Sequence, residues 1–270
     1  MYKAVFLDMD GTLLKSDHSV SEATRETLRK IMGQGIPVIL VSARPLDAML
    51  PTALAIGLQD YPLVSLNGSY IVESETPVFQ SIIDLQTTAE LTAAVRSFDA
   101  TVAYYVQREW FAERSDSWTE HEQKIMDIRL RVQPFDEMAA GWAGRKTGPN
   151  KMMVMSEPAS IDHIQQHLRS LYGDRLNIYP SKPTYLEIMD TKASKSNALR
   201  FLIGRMNIRR EEIIAMGDNY NDSEMIKFAG MGVAMGNAPD EIKALADYVT
   251  DTNNEDGVRK ALEHFLGEMA

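Results

Sequence analysis

The chain has 270 residues, 44% of them hydrophobic and 24% charged, ordinary proportions for a globular protein that exclude disordered, collagen-like and repeat-array architectures. At about 100–200 residues per domain it makes one large domain or two modest ones, with core enough to fold without a disulfide or metal staple. Its 38 acidic residues outnumber 28 basic ones, giving a formal net charge of −10, and it has no cysteine. That balance argues against nucleic acid and anionic membrane as partners and removes disulfide and thiol chemistry.

The stretch from Met1 to Asp10 shows no signal-peptide core, and no apolar run approaches the ~18 residues of a membrane span. The expectation is a cytoplasmic protein, in which the glycosylation-like triplets at Asn67 and Asn221 carry no meaning. In chain order, Ala4–Leu7 is a short apolar run ending at Asp8. Ser21 caps an expected helix with Leu28, Ile31 and Met32 on one face, stopped by Gly33 and Gly35. Val38–Val41 ends at Ser42, Pro45 suits a first helical turn, and Leu63–Leu66 ends at Asn67. Continuous apolar runs of this length suit strands buried on both faces of a parallel sheet.

The middle of the chain is less regular. It reads as helix over Glu90–Phe98, hairpin over Val102–Val106 and Trp110–Ala112, helix over Ser117–Leu130, and loop over Gly141–Pro149. A strand over Lys151–Met155, a helix over Ala159–Leu171, and closing strands over Asn177–Tyr179 and Tyr185–Met189 follow. Beyond them, Ala198, Leu199, Leu202, Ile203 and Met206 mark a helix. Ile213–Met216, before Gly217-Asp218, and Gly232–Met235, before Gly236-Asn237, are again buried strands. The expected fold is an α/β doubly wound parallel-sheet core, residues 1–83 plus 190–270, with an inserted α+β domain at residues 84–189. Such a sheet gathers its strand ends on one ligand-binding rim.

Chemistry concentrates on that rim. In Asp8-Met9-Asp10-Gly11-Thr12, two acids two apart at a buried strand end can point to the same side; alone, the motif reads equally well as a solvated turn. Gly217-Asp218-Asn219-Tyr220-Asn221-Asp222 adds two carboxylates to the same rim. Capping of the following helix explains Asp222 well and Asp218 poorly. Three or four hard oxygen donors in one crevice fit Mg²⁺, which shares its ligands with phosphate. Lys195, in the first turn of a helix capped by Ser194, opposes the helix dipole unless an anion binds there. Ser42 offers a hydroxyl, and Arg44 an anion contact or a partner for an acid. Together these parts suit phosphoryl transfer, with one carboxylate as nucleophile and a second as acid and base.

These segments resemble, in order, the four motifs of the haloacid dehalogenase superfamily, and the insert resembles the large α/β cap of its Cof-type sugar-phosphatase subfamily. The resemblance covers nearly the whole chain. It implies Asp8 as nucleophile and Mg²⁺ ligand, and Asp10 as acid/base and ligand through its backbone carbonyl. It implies Asp218 as third ligand, with Asp222 supporting the metal's surroundings or Lys195. Phosphate would be held by Ser42, Lys195, Asn221 and the backbone N–H groups of Met9 and Ala43, and Asn67-Gly68 would form the substrate-facing turn. Two positions depart from the family pattern: Ser42-Ala43-Arg44 stands for Thr-Gly-Arg, and Ser196 for the glycine after the lysine.

The implied function is hydrolysis of small phosphorylated metabolites, sugar phosphates favoured, through an aspartyl-phosphate, with no protein partner implied. A phosphomutase and a non-catalytic phospho-aspartate switch are the alternatives. His163 and His167, spaced like zinc ligands, read as a solvated helix face. Gly230, Gly232 and Gly236 read as turn glycines. Tyr104, Tyr105 and Trp110 read as hairpin packing, and Arg145 and Lys146 as an exposed loop.

Overall fold

The structure, a computed structural model, describes residues 1–267. The elements are β1 (Ala4–Leu7), α1 (Glu22–Gly33), β2 (Val38–Val41), α2 (Leu46–Ile56), β3 (Leu63–Ser65), β4 (Tyr70–Glu73) and β5 (Thr76–Gln80). Then come α3 (Leu85–Val95), β6 (Thr101–Val106), β7 (Glu109–Ala112), α4 (Ser117–Met126), β8 (Leu130–Val132), α5 (Phe135–Gly144), β9 (Lys151–Met155), α6 (Pro158–Tyr172), β10 (Leu176–Lys182) and β11 (Tyr185–Asp190). The chain closes with α7 (Lys195–Met206), β12 (Ile213–Gly217), α8 (Ser223–Phe228), β13 (Met231–Ala234), α9 (Asp240–Lys243), β14 (Tyr248–Val249) and α10 (Gly257–Leu266). Contacts divide the chain into two compact units. One holds Met1–Ala43, Met49–Val78 and the described residues from Ser194 on; the other holds Arg44–Ala48 and Phe79–Ala193.

The first unit is the α/β core. Among the described residues its sheet runs β14-β13-β12-β1-β2-β3-β4-β5. Strands β14 to β3 in that order are parallel, and β4 turns back antiparallel to β3. Every residue of β1, β2, β3 and β12 is buried, which is why these strands read as unbroken apolar runs. From β1 the chain builds outward through β2 and β3, then returns to lay β12 on the other side of β1. This reversal is the topological switch point at which open α/β sheets form their crevice. The register sets Leu7 beside both Leu40 and Met216, so the residues after β1 and after β12 emerge side by side.

The second unit is an α+β layer whose sheet runs β10-β11-β9-β6-β7-β8, antiparallel except for the β7/β8 pair. Alternate strand residues Tyr104, Met152, Val154, Leu186 and Ile188 pack on Leu91, Phe135, Met138, Trp142, Ile164 and Leu168 of α3, α5 and α6. Tyr104 is therefore core, and Tyr105 stacks on its cross-strand neighbour Trp110, so the hairpin aromatics are packing residues. On that second face Lys151 is buried, 3.6 Å from Glu187 and over the Tyr105 ring.

Three expectations fail here. The helix expected over Ser117–Leu130 stops at Met126, because Asp127 adopts the left-handed conformation (φ 51°) and Leu130 pairs with Trp110 as β8. The loop expected over Gly141–Pro149 gives its first four residues to α5. Phe135, Met138 and Trp142 bury one helical face there, and Gly141 and Gly144 lie on open space, so core packing outweighs their poor helix propensity. Leu66, expected at the end of a strand, begins a 3₁₀ turn instead. Among the described residues no helix is long and apolar enough to cross a membrane.

Candidate active site

Asp8 follows β1 and donates its backbone N–H to the Met216 carbonyl (3.0 Å). The chain then folds tightly back: Leu13 N–H reaches the Asp8 carbonyl (3.3 Å) and Leu14 N–H the Met9 carbonyl (2.8 Å). Gly11 makes this possible. Its φ is +82°, and a Cβ there would collide with the Asp218 carboxylate, so only glycine fits both the backbone and the space. Thr12 donates its hydroxyl to Asp218 Oδ1 (2.9 Å), joining the first motif to the last.

Lys195 starts α7, whose cap Ser194 accepts from the Asn197 N–H (3.1 Å). The lysine is almost wholly buried, and its Nζ donates to Asp8 Oδ1 and Asp222 Oδ1, each at 2.5 Å. The second Asp222 oxygen accepts the N–H groups of Asp218 and Asn219, both at 3.0 Å. Asp222 thus anchors the lysine and the turn together. Ser196, beside Lys195, donates to Glu224 Oε2 on α8 (2.8 Å), a link that glycine at this position could not make.

A second strand of the site runs through Ser42, Asn67 and Asn221. Ser42 is buried, donates its N–H to the Val64 carbonyl (2.8 Å) and accepts the Asn67 N–H on its own carbonyl (2.9 Å). Asn67, in the left-handed region at φ 54°, takes a hydrogen bond from Asn221 Nδ2 (3.2 Å). Gly68 passes so close to the Ser194 carbonyl that a side chain has no room. Asp10 is half exposed, with His18 Nδ1 4.0 Å from its carboxylate. Met9 is fully buried, Ala43 half-buried. Arg44 groups with the second unit.

The charge balance is negative. Ligand oxygens of Asp8, Asp218 and Asp222 lie within 4.8 Å of one another, against one lysine. Burial raises the Asp8 carboxyl well above its ordinary range; Lys195 offsets part of this, and Asp222 and Asp218 add to it. Burial, then Asp222, pushes Asp218 up to about 6. Burial alone would lower Lys195, but Asp222 and Asp8 outweigh it and hold the ammonium charged. Crowded, partly desolvated carboxylates of this kind are relieved by a hard dication. With Asp222 engaged by Lys195 and two amides, Asp8 and Asp218 are the carboxylates suited to ligate it.

Thr12, Glu224 and Ser196 are structural parts of this site whose contacts the sequence reading did not assign. Thr12 stood in the first motif, but its partner is 206 residues away. His163 and His167 are exposed on α6, and among the described residues the three aspartates are the one cluster with metal-ligand spacing. Arg145 pairs with Glu109.

A topological switch point carrying paired aspartates, a buried lysine and a Gly-Asp turn defines a phosphoryl-transfer class of α/β hydrolase. Residues 5–262 match the family model of haloacid dehalogenase-like hydrolases, and the chain belongs to that family. A Haemophilus influenzae protein provisionally named a phosphatase is 34% identical over 271 residues, covering 99% of this chain and 100% of that one. The 5-amino-6-(5-phospho-D-ribitylamino)uracil phosphatase YcsE of Bacillus subtilis is 31% identical, with 98% and 96% covered. A haloacid dehalogenase-like hydrolase from Bacteroides thetaiotaomicron superposes with a TM-score of 0.90 at 32% identity, covering 98% and 100%. The chain is accordingly an enzyme, a phosphatase-type hydrolase of this family.

Proposed function

We propose that the protein is a Mg²⁺-dependent phosphomonoester hydrolase of the cytoplasm, acting on small phosphorylated metabolites, sugar and polyol phosphates above all. The observation that carries the mechanism is the buried Asp8–Lys195–Asp222 cluster, with Asp218 tied to it through Thr12. The substrate class is supported by the family match and by the relative named for a phosphoribityl compound.

Asp8, Asp218 and the Asp10 carbonyl would hold Mg²⁺. The bound ion would neutralise phosphate oxygens and let an anionic ester approach this acidic site. The Asp8 carboxylate attacks phosphorus, forming a carboxyl–phosphoryl bond as the ester P–O bond breaks. Asp10 gives its proton to the departing oxygen, then takes one from the water that attacks the phosphoryl group and frees Asp8. Lys195, Ser42, Asn221 and the N–H groups of Met9 and Ala43 bind the phosphate oxygens. Lys195 also fixes the rotamer of Asp8, and Asp222 fixes Lys195. Residues 84–189 act as the cap that selects the alcohol part of the substrate; Asn67-Gly68 is the substrate-facing turn and Arg44 a supporting residue.

The test is phosphate release from a panel of phosphomonoesters, with Mg²⁺ and with EDTA, by wild type and Asp8→Asn in parallel. Release that needs the metal and vanishes in the folded variant is expected. Isomer exchange dependent on a bisphosphate activator would instead indicate a mutase, and an aspartyl-phosphate surviving for minutes would indicate a switch.

A further inference from the structure

The segment after the nucleophile is gripped from outside by a second loop more than 220 residues away. Asn237 Nδ2 donates to the Gly11 carbonyl (2.8 Å), and Asn237 Oδ1 accepts the Asn253 N–H (3.0 Å). Asn253 is buried and donates from Nδ2 to the Leu14 carbonyl (2.8 Å). Asn254 meets Ser16 twice, accepting its N–H (3.0 Å) and donating to its Oγ (2.9 Å). Lys15 and Asp256 add an ion pair at 3.5 Å.

The gripping loop is itself firmly built. Gly236 N–H reaches the Asp251 carbonyl (3.1 Å), Gly257 N–H the Thr252 carbonyl (3.0 Å), and Thr250 Oγ1 the Gly257 carbonyl (2.8 Å). A side chain at Gly257 would strike the Asp251 carbonyl.

The peptide between Gly11 and Thr12 lies where this grip matters. Glycine leaves its own backbone the least determined, and the Asn237 amide fixes the Gly11 carbonyl. Thr12, on the same peptide, holds Asp218, and Asp10 is the residue just before Gly11. We propose that Asn237 and Asn253 are positioning residues: they hold the backbone on the C-terminal side of Asp10 so that its carboxyl meets the leaving-group oxygen. This rests on Asp10 being the acid and base of the reaction.

The experiment compares kcat/KM for two esters. An alkyl phosphate expels an alkoxide that Asp10 must protonate, whereas p-nitrophenyl phosphate expels a phenolate that leaves without a proton. Misplacing a catalytic group by a fraction of an ångström to one ångström costs about tenfold to a hundredfold. Asn237→Ala should lose that factor in kcat/KM with the alkyl ester and less than about threefold with the aryl ester, because kcat/KM ends at phosphorylation of Asp8 and excludes the water attack that both esters share. Asn237→Asp, which still accepts the Asn253 N–H but cannot donate to Gly11, should behave the same way. The Asn237→Ala/Asn253→Ala pair should be no worse than the poorer single variant, because both act through one linkage.

Asn237 is exposed, so its single variants keep the fold even if Asn253→Ala does not. Equal losses on both esters, or no loss, in Asn237 variants that melt with wild type would overturn the proposal. The wild-type arm separates the two levels: an enzyme that hydrolyses neither ester with Mg²⁺ removes the functional reading itself, whereas an active wild type with ester-independent losses removes only the positioning role.

Discussion

Lys195 shares one ammonium between Asp8 and Asp222 in a place that water barely reaches, and burial changes what such a contact is worth. Arg205 and Glu73 also pair, at 3.1 Å, but both are about half exposed, and exposed pairs contribute about 0–1 kcal/mol. Removing one partner of a buried pair leaves a charge without compensation and costs about 3–5 kcal/mol. Asp222→Ala also strips the acceptor from two backbone amides, so urea unfolding should show a loss of at least about 3 kcal/mol. Glu73→Ala should cost less than about 1 kcal/mol, and equal costs would contradict this account of Lys195. Groups that orient a metal ligand typically change metal affinity by about 10–100-fold, so Thr12→Val should raise the Mg²⁺ concentration for half-maximal activity by that factor. An unchanged Mg²⁺ requirement would make the Thr12–Asp218 bond purely structural.

Asp84 caps α3, taking the Thr87 N–H at 2.9 Å and its hydroxyl at 2.7 Å, and these bonds hold its carboxyl below the usual value. A carboxyl lowered by folding stabilises fully above its unfolded value of about 3.9 and loses that contribution as pH falls through the folded value. Asp84→Ala should therefore cost about 1 kcal/mol at pH 7, and the gap from wild type should close as the pH is taken below 4. A gap that persists in acid would show that the cap does not act through its charge. Elements also mark the limit of the sequence pattern. Core strands such as β1 and β2 were legible because both faces are buried and the run is continuously apolar. Strand β8, three residues long with two exposed, carries no period to read, and it shortened the helix expected before it. Helix α5 was hidden because Gly141 and Gly144 suggest a loop, whereas the buried stripe Phe135, Met138 and Trp142 decides the matter.

On the scale of the whole molecule, the order β13-β12-β1-β2 brings residues near both ends of the chain to one rim. The motif residues were legible one by one, Asp8, Ser42 and Asp218 at the ends of apolar runs and Lys195 in the first turn of a capped helix. Their hydrogen bonds were not, since Lys195 and Asp8 are 187 residues apart and meet only through the β1/β12 register. The Asn237–Asn253 linkage was invisible for the same reason. The two-unit construction also predicts how metal affects stability. Ligand binding at a hundred times Kd adds about 2.7 kcal/mol to the part that binds, so saturating Mg²⁺ should raise the melting of the unit holding Asp8 and Asp218. Asp84→Ala should instead lower the melting of the other unit. A single transition moved alike by both would show that the units unfold as one.

Whether Asp8 becomes phosphorylated is decided by mixing Asp10→Asn enzyme with Mg²⁺ and p-nitrophenyl phosphate, whose phenolate leaves without a proton from Asp10, quenching in acid, and mapping the peptides by mass spectrometry. With the base for water attack removed, one phosphoryl group should accumulate on Asp8 and nowhere else. A phosphoryl group on another residue, or Asp8→Asn enzyme that still turns over substrate, would contradict the account.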